Sequence, residues 1–404
     1  MRILSSTRVS QFLAIFIMQL GGYLSHPAVA NEFSGVVETQ VRAFFNEPLY
    51  QDQHQHDASL AVAPEYYHQL ENGSSITIAP FLRADSADSE RSHFDLREMN
   101  FLWLTGAFEL KIGISKVFWG AVEFVHLVDI INQTDLVEAI DNEEKLGQPM
   151  VQLSFPMDWG VVDMFVLPWF RERTFAGRKG RLRPELSVDV DNARYESSAG
   201  DHHVDLALRY SQTLGNADLG LYHFAGTGRE PTLTPSLDDL NRPVLVPYYE
   251  QIRQTGLDLQ LVTGSWLWKL EAIYRTGQVE DFFSGVGGFE YTLFGVFATG
   301  ADLGIIAELA YDERGAMATT AFENDIMLGL RLVVNDAAGS ELLTGLVYDY
   351  EDSSRALTIE ASRRFGSGFK ATLEAYFFSH LPNDDFLYDF RDDDFISVAL
   401  AYHF

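Results

Sequence analysis

The chain has 404 residues, no cysteine, and 29 Lys and Arg against 58 Asp and Glu, a formal charge of −29 at neutral pH. That balance excludes a protein that grips nucleic acid by neutralising phosphates, which needs a basic surface. The lack of cysteine excludes a disulfide framework, a Cys-ligated zinc site, a thiol nucleophile and a lipid-anchored N-terminal cysteine.

In chain order, the first element is an address. Arg2 and Arg8 precede the apolar run Phe12–Leu20, and Ala28-Val29-Ala30 supplies a small-residue cleavage site. Residues 1–30 therefore read as a bacterial secretory signal peptide, with 31–404 left as a single domain. No apolar run is long enough for a helical span.

From Phe33 onward the dominant rhythm is strict alternation over segments of roughly 10–14 residues, the pattern of half-buried strands. Val37, Thr39, Val41, Ala43 and Phe45 alternate with Glu38, Gln40 and Arg42. The same holds for Trp266, Trp268, Leu270, Ala272 and Tyr274 against Lys269, Glu271 and Arg275, and for Leu303 to Tyr311 against Glu308 and Asp312. Phe369, Ala371, Leu373, Ala375 and Phe377 alternate with Lys370, Thr372 and Glu374. One face is apolar with aromatic ends, and the other carries charges of both signs. Lipid outside and water inside explain that division.

Connections alternate in length as well. Short turns are expected at 71–74, 105–107, 156–158, 215–216, 263–265, 299–300, 335–339 and 366–368. Longer loops are expected at 46–56, 86–92, 119–147, 171–201, 227–248, 278–283, 313–322 and 379–392, with one tight loop at 351–353. The expectation is an all-β, antiparallel transmembrane barrel of about 18 strands (16 is the alternative count), with short periplasmic turns and both termini periplasmic. In the closing strand Ile396, Val398, Leu400, Tyr402 and Phe404 share one face, and Tyr402 with the final Phe404 resembles the assembly signal of Gram-negative outer-membrane proteins.

At Asp95-Leu96-Arg97-Glu98, Glu109-Leu110-Lys111-Ile112-Gly113 and Trp119-Gly120 the chain resembles a family of uncharacterised, porin-like Gram-negative outer-membrane barrels. Ile131-Asn132-Gln133-Thr134-Asp135, Lys269-Leu270-Glu271-Ala272 and Gly288-Phe289-Glu290-Tyr291-Thr292 extend the resemblance from about Phe94 to the C-terminus. It implies a barrel in the outer membrane and carries no substrate.

Three charged constellations stand out. Segment 121–147 is too long for a hairpin loop, holds Glu123, Asp129, Asp135, Glu138, Asp141, Glu143 and Glu144, and has Lys145 as its only Lys or Arg. It reads as an inward-folded constriction loop with a short helix over 125–137, or as an acidic outer loop that binds divalent cations with lipopolysaccharide. Arg171, Arg173, Arg178, Lys179, Arg181 and Arg183 form a basic cluster that could line the pore, grip lipopolysaccharide phosphates or attract anionic solutes, or be a solvated charge run. Asp384, Asp385, Asp389, Asp392, Asp393 and Asp394 precede the last strand, where Ca²⁺ is a weaker reading than solvated charge.

No catalytic residue, cofactor or metal is expected. His54 and His56 beside Asp52 and Asp57, and His202-His203 beside Asp201, lack a Ser in a nucleophile context, and no G-x-S-x-G, HExxH or P-loop occurs. A TonB-dependent receptor would need a plug domain ahead of a 22-strand barrel. The leading function is a porin-like channel for passive diffusion of small hydrophilic solutes, its field set by Arg42, Arg83, Arg97, Lys111, Arg209 and Arg275 against Glu38, Asp85, Glu109 and Glu271. The alternatives are a transporter or exporter of hydrophobic or polymeric cargo guided by Leu233, Leu237, Leu240, Val244, Leu245, Val246, Tyr248 and Tyr249, and a structural or surface-interaction barrel without transport. Expected partners are outer-membrane lipid and lipopolysaccharide, the outer-membrane assembly machinery and small solutes, with assembly as a homotrimer left open. Carboxylates of Asp129, Asp135 and Glu138 at the narrowing would give modest cation selectivity.

Overall fold

Alternation at period two puts every second side chain on the same face, so a long run of such strands must either stack two sheets or close on itself. The computed structural model describes residues 31–278 and 280–404; the signal-peptide expectation falls on 1–30, outside the described residues. Twenty-one strands follow in order. They are β1 (Asn31–Phe44), β2 (His56–Gln69), β3 (Ser75–Asp85), β4 (Phe94–Leu104), β5 (Glu109–Ser115), β6 (Gln148–Met157), β7 (Gly160–Leu167), β8 (Arg194–Tyr195), β9 (Asp205–Leu214), β10 (Ala217–Thr227) and β11 (Thr232–Leu237). The remainder are β12 (Pro243–Tyr249), β13 (Gln251–Thr263), β14 (Trp266–Thr276), β15 (Phe282–Val296), β16 (Ala301–Asp312), β17 (Asp325–Val333), β18 (Glu341–Asp349), β19 (Arg355–Phe365), β20 (Phe369–Ser379) and β21 (Phe395–His403). Eighteen of them make one antiparallel sheet. β1 pairs with β21, which closes it into a barrel; β8, β11 and β12 form a separate small sheet in the loops.

Closure leaves no unpaired strand edge, the condition for putting a sheet into lipid. The outward face meets the second condition. On β21, Val398, Leu400 and Tyr402 are exposed while Ser397, Ala399 and Ala401 are buried, and Leu328, Leu346, Ile305 and Leu309 continue the apolar belt on neighbouring strands. At the short-turn end aromatic rings gather: Trp266 stacks on Trp268 and meets Phe289 and Tyr291, Trp159 packs on Tyr210, and Phe369 on Tyr402. This is the interfacial girdle of a membrane barrel.

Turns and loops fall where alternation placed them to within about three residues; the loop expected from 119 opens at 116, because β5 ends at Ser115. The turn expected at 156–158 lies two residues later, because Met157 pairs with Gly160 and leaves Asp158-Trp159 at the tip. The seam is completed past the end of β21, where Gly35 and Phe404 exchange backbone hydrogen bonds of 3.1 Å. Phe404 also packs on Phe33 at 5.8 Å and Tyr402 at 6.4 Å.

The interior is not uniformly polar. On the β6–β15 side an apolar seam of Met150, Phe165, Leu167, Ala207, Tyr222, Phe224, Ile252, Ile273 and Phe282 faces inward. Trp119, Val128, Ile130 and Ile131 of the long loop after β5 pack on this seam. Burying side chains of this size is worth about 1.5–3 kcal/mol each, so the loop has its own reason to enter the barrel.

Candidate functional site

The inserted loop spans 116–147, and its two legs are clamped by one residue. The Asn132 amide donates to the carbonyls of Ser115 (2.8 Å) and Leu146 (2.9 Å), and its oxygen accepts from the Val117 N–H (2.8 Å). Two wall carboxylates then hold the near leg by its backbone. Glu271 of β14 accepts from the N–H groups of Ala121 (2.6 Å), Val122 (3.1 Å) and Val128 (3.2 Å). Glu308 of β16 accepts from Glu123 (2.8 Å) and Phe124 (3.2 Å). No helix forms over 125–137, where amides find non-helical acceptors: Val128 donates to Glu271, Thr134 to the Gln133 side chain, Asp135 to the Glu144 carbonyl and Val137 to the Thr174 hydroxyl. The segment is a series of turns and bends with two isolated bridges, Thr134 to Lys145 and Asp135 to Thr174.

Ion pairs fix the rest. Glu123 meets Lys269 of β14 at 2.9 Å and Arg331 of β17 at 2.7 Å. Burial would raise its carboxyl, but these two cations hold it down at about 2. His126 sits 3.8 Å from both Glu143 and Glu271. Burial alone would lower the imidazole, and the paired carboxylates raise it to about 10. Phe124 rests against Gly329 of β17 and Gly345 of β18, where a Cβ would come within 3.3 Å and 2.9 Å of its ring.

The acidic residues singled out in this loop divide into two groups. Asp129 pairs with Lys145 (3.2 Å), Asp135 with Arg97 of β4 (2.6 Å), and Glu138 with Arg83 of β3 (2.8 Å). All three are buried against their cations, so they act as ties and not as bare charge at a narrowing. Asp141 turns the chain by accepting from the Glu143 N–H at 3.0 Å. Glu143 and Glu144 line a cavity of about 530 Å³.

That cavity is a vestibule at the short-turn end, bounded by β1 and β17–β21 and by the turn Gly366–Gly368. Its wall carries Glu38, Glu341, Glu360 and Glu374 together with Arg331, Arg364, Lys370 and His403. Charges of both signs around a wet space can hold and pass small polar solutes. At the loop end of this same side, Phe44, Tyr376, Phe378 and Phe395 form a buried aromatic cluster packed by Ile140, Leu182 and Leu381.

Four of the other strand charges expected in the lumen are also paired. Arg42 meets Asp57 (3.2 Å), Arg209 meets Asp258 (2.8 Å), Arg275 meets Glu230 (2.9 Å), and Asp85 meets Arg91 (2.7 Å).

The basic cluster is dispersed by the fold. Arg171 reaches Asp95 (2.6 Å), Arg173 reaches Gln133 (3.4 Å), and Arg181 reaches Asp393 (2.5 Å) while covering the Phe44 ring. Arg183 donates to the carbonyls of Pro184 and Glu185 and covers Tyr50. Arg178 and Lys179 alone of the six are exposed, with Arg178 3.7 Å from Asp52. In the acidic loop, Asp389 accepts from the Tyr50 hydroxyl (2.6 Å) and Asp394 from the Phe378 N–H (2.7 Å). The apolar residues expected to guide cargo split in the β11–β12 hairpin: Val244, Val246 and Tyr249 are buried, while Leu237 and Leu240 face outward. His54 and His56 are exposed, and His202 and His203 are held by Asp201 (2.7 Å) and Asp205 (2.8 Å).

Residues that sequence reasoning passed over are Asn132, Glu308, Arg331 and Arg229. The Arg229 guanidinium joins Asp205 (2.9 Å) to the Ile131 carbonyl (2.9 Å) across 98 positions of chain. Nothing local marks such partners.

No family model matches the chain, and no curated protein matches it in sequence. Among solved structures it is similar to Wzi, an outer-membrane protein involved in group 1 capsule assembly in Escherichia coli and described as a carbohydrate-binding β-barrel. That likeness has a TM-score of 0.53 and 10% identity, covering 90% of this chain and 83% of the other. Weaker likenesses include a loop-deleted OmpT, an outer-membrane protein of Vibrio cholerae (TM-score 0.47, 8% identity, 93% of this chain and 100% of that one). A Rh. blastica porin mutant gives a TM-score of 0.45 at 11% identity, with the same coverage. With a closed sheet, an outward apolar belt and an aromatic girdle, the chain is a β-barrel of the bacterial outer membrane.

Proposed function

We propose that this barrel is a porin-like channel of narrow bore, passing small hydrophilic solutes by diffusion, with loop 116–147 as its constriction. The observation that carries the reading is the vestibule of about 530 Å³ that ends on Glu143 and Glu144 of that loop. A solute would follow the polar side, between the loop and β19–β21, because the β6–β15 side is sealed by the apolar seam and Val122 and Phe124 pack on β15–β18. Glu144, not Asp129, Asp135 or Glu138, is then the loop carboxylate that biases the passage toward cations, because Glu143 is paired with His126. Tyr402 and Phe404 at the seam would serve recognition by the assembly machinery. Liposome swelling with neutral sugars of increasing size tests the proposal. Pentoses should enter readily and trisaccharides hardly at all; swelling no faster than empty liposomes with every solute would overturn it.

A second reading, a binding or surface barrel without transport, is favoured by a separate observation. The aromatic cluster around Phe44, Tyr376, Phe378 and Phe395 caps the polar side at the loop end. The carbohydrate binding attributed to Wzi belongs to this class. Silent liposomes together with saturable binding of a polysaccharide would favour it.

A further inference from the structure

Where β17 begins and β18 ends, two aspartates stand directly opposite each other: Asp325 pairs in register with Asp349. Like charges in that position repel and weaken a strand pair. Here the carboxylate oxygens of Glu323, Asp325 and Asp349 lie within 4.8 Å of one another. They are not on the solvated rim: Asp325 is 2% exposed and Asp349 5%. Among the described residues no Lys, Arg or His forms an ion pair with any of the three, unlike the carboxylates that tie down loop 116–147. Asp349 has partial relief, accepting from the N–H groups of Glu351 (2.6 Å) and Asp352 (3.1 Å). Asp325 accepts from the Glu323 backbone N–H, but its Oδ2 is buried with no hydrogen-bond partner.

The carboxylates surround a space of matching size. A cavity of about 20 Å³ lies between them, lined also by Asp385, Ser354 and Arg355. The Arg355 guanidinium is directed onto the Tyr348 ring at 5.5 Å. A cavity of this size holds about one water molecule or one ion. Buried anions without a counter-charge are expensive, and a cation between them removes the cost.

We infer that Glu323, Asp325, Asp349 and Asp385 form a binding site for a single Ca²⁺ ion at the loop end of the barrel. An all-oxygen, carboxylate-rich donor set selects a hard divalent cation. The small cavity favours Ca²⁺ over Mg²⁺, because Mg²⁺ keeps several of its waters and needs room for them. Its ligands come from the connection 313–324, the facing ends of β17 and β18, and the connection 380–394, so the ion staples two loops to the rim of the barrel wall. The Tyr350 N–H to Asn324 carbonyl bond (3.2 Å) is another tie at that rim.

The test uses the folded full chain in detergent, stripped of divalent ions with EDTA. Tyr350 adjoins Asp349, so bound Tb³⁺ should show tyrosine-sensitised luminescence that saturates and is displaced by Ca²⁺ more readily than by Mg²⁺. With Ca²⁺ at 100 times its dissociation constant, exchange of the 313–324 and 350–354 amides should slow about 100-fold. The double variant Asp325→Asn/Asp349→Asn, checked for heat-modifiable migration, should lose both effects. If that variant does not fold, Asp385→Asn in the irregular loop should weaken Ca²⁺ displacement about tenfold or more. No saturable signal in the wild type, or unchanged Ca²⁺ affinity in the folded variants, overturns the site; the protonated acids would then need no ion.

Discussion

Replacing Glu271 with alanine should release the near leg of loop 116–147 without opening the barrel wall. This carboxylate accepts three backbone N–H groups, from Ala121 at 2.6 Å, Val122 at 3.1 Å and Val128 at 3.2 Å, and flanks His126 at 3.8 Å. Hydrogen bonds to a charged group contribute about 1.5–3 kcal/mol each, and shared acceptors do not add fully, so the local loss is about 3–6 kcal/mol. At 1.4 kcal/mol per factor of ten, backbone hydrogen exchange at Ala121, Val122 and Val128 should quicken by about 10² to 10⁴. β14 keeps its ladders to β13 and β15, which use backbone groups alone. Exchange mass spectrometry of the peptide around 119–130, with amides of β14 as the internal standard, reads this directly. Unchanged protection at 121–128 would refute the argument that wall carboxylates hold the loop by its backbone.

Docking of the loop should depend on pH at both ends. Glu123 is depressed from 4.5 to about 2, so its contribution is present above pH 4.5 and is lost as pH falls toward 2; His126 is raised from 6.5 to about 10, so its contribution is full below 6.5 and lost as pH rises toward 10. Loop exchange should therefore be slowest between about pH 4.5 and 6.5 after correction for intrinsic rates, and a flat profile would count against both pairs. Gly345→Leu should expel Phe124 from its seat, since even a Cβ there would lie 2.9 Å from the ring, and should raise proteolytic cutting in 121–130 while leaving the barrel heat-modifiable. Leu328→Arg, in mid-strand on the outward face, should cost about 2–4 kcal/mol of folding stability in lipid; a loss near zero in denaturant titrations would place that face away from the bilayer core.

Architecture was legible in the sequence because it rests on a local signal. A two-residue period in Trp266–Tyr274 or Phe369–Phe377 states which side chains face lipid, and connection length separates turns from loops. The site was legible only in outline. Loop 116–147 betrayed itself by length and acidity, but its charge suggested solvation or a bare constriction. The partners that neutralise Asp135 and Glu138 are Arg97 and Arg83, on strands that precede the loop and whose facing is set by closure. The helix expected over 125–137 is absent for the same reason: acceptors outside the segment, Glu271, the Glu144 carbonyl and Thr174, take the amides of Val128, Asp135 and Val137. Arg171–Arg183 looked like one basic patch because six charges are adjacent in sequence, whereas the fold sends them to Asp95, Gln133, Asp393 and backbone carbonyls. Glu323, Asp325 and Asp349 show the converse. They are unremarkable in sequence and meet only when β17 pairs with β18.

Single-channel recording in a planar bilayer, on the wild type and on Glu271→Ala side by side, tests the central claim most directly. A constriction made by loop 116–147 predicts a small, cation-preferring conductance in the wild type and one several times larger, with more fluctuation, once the loop is released. Folded barrels that stay silent in both forms, or equal conductances in the two, would contradict a channel gated by this loop.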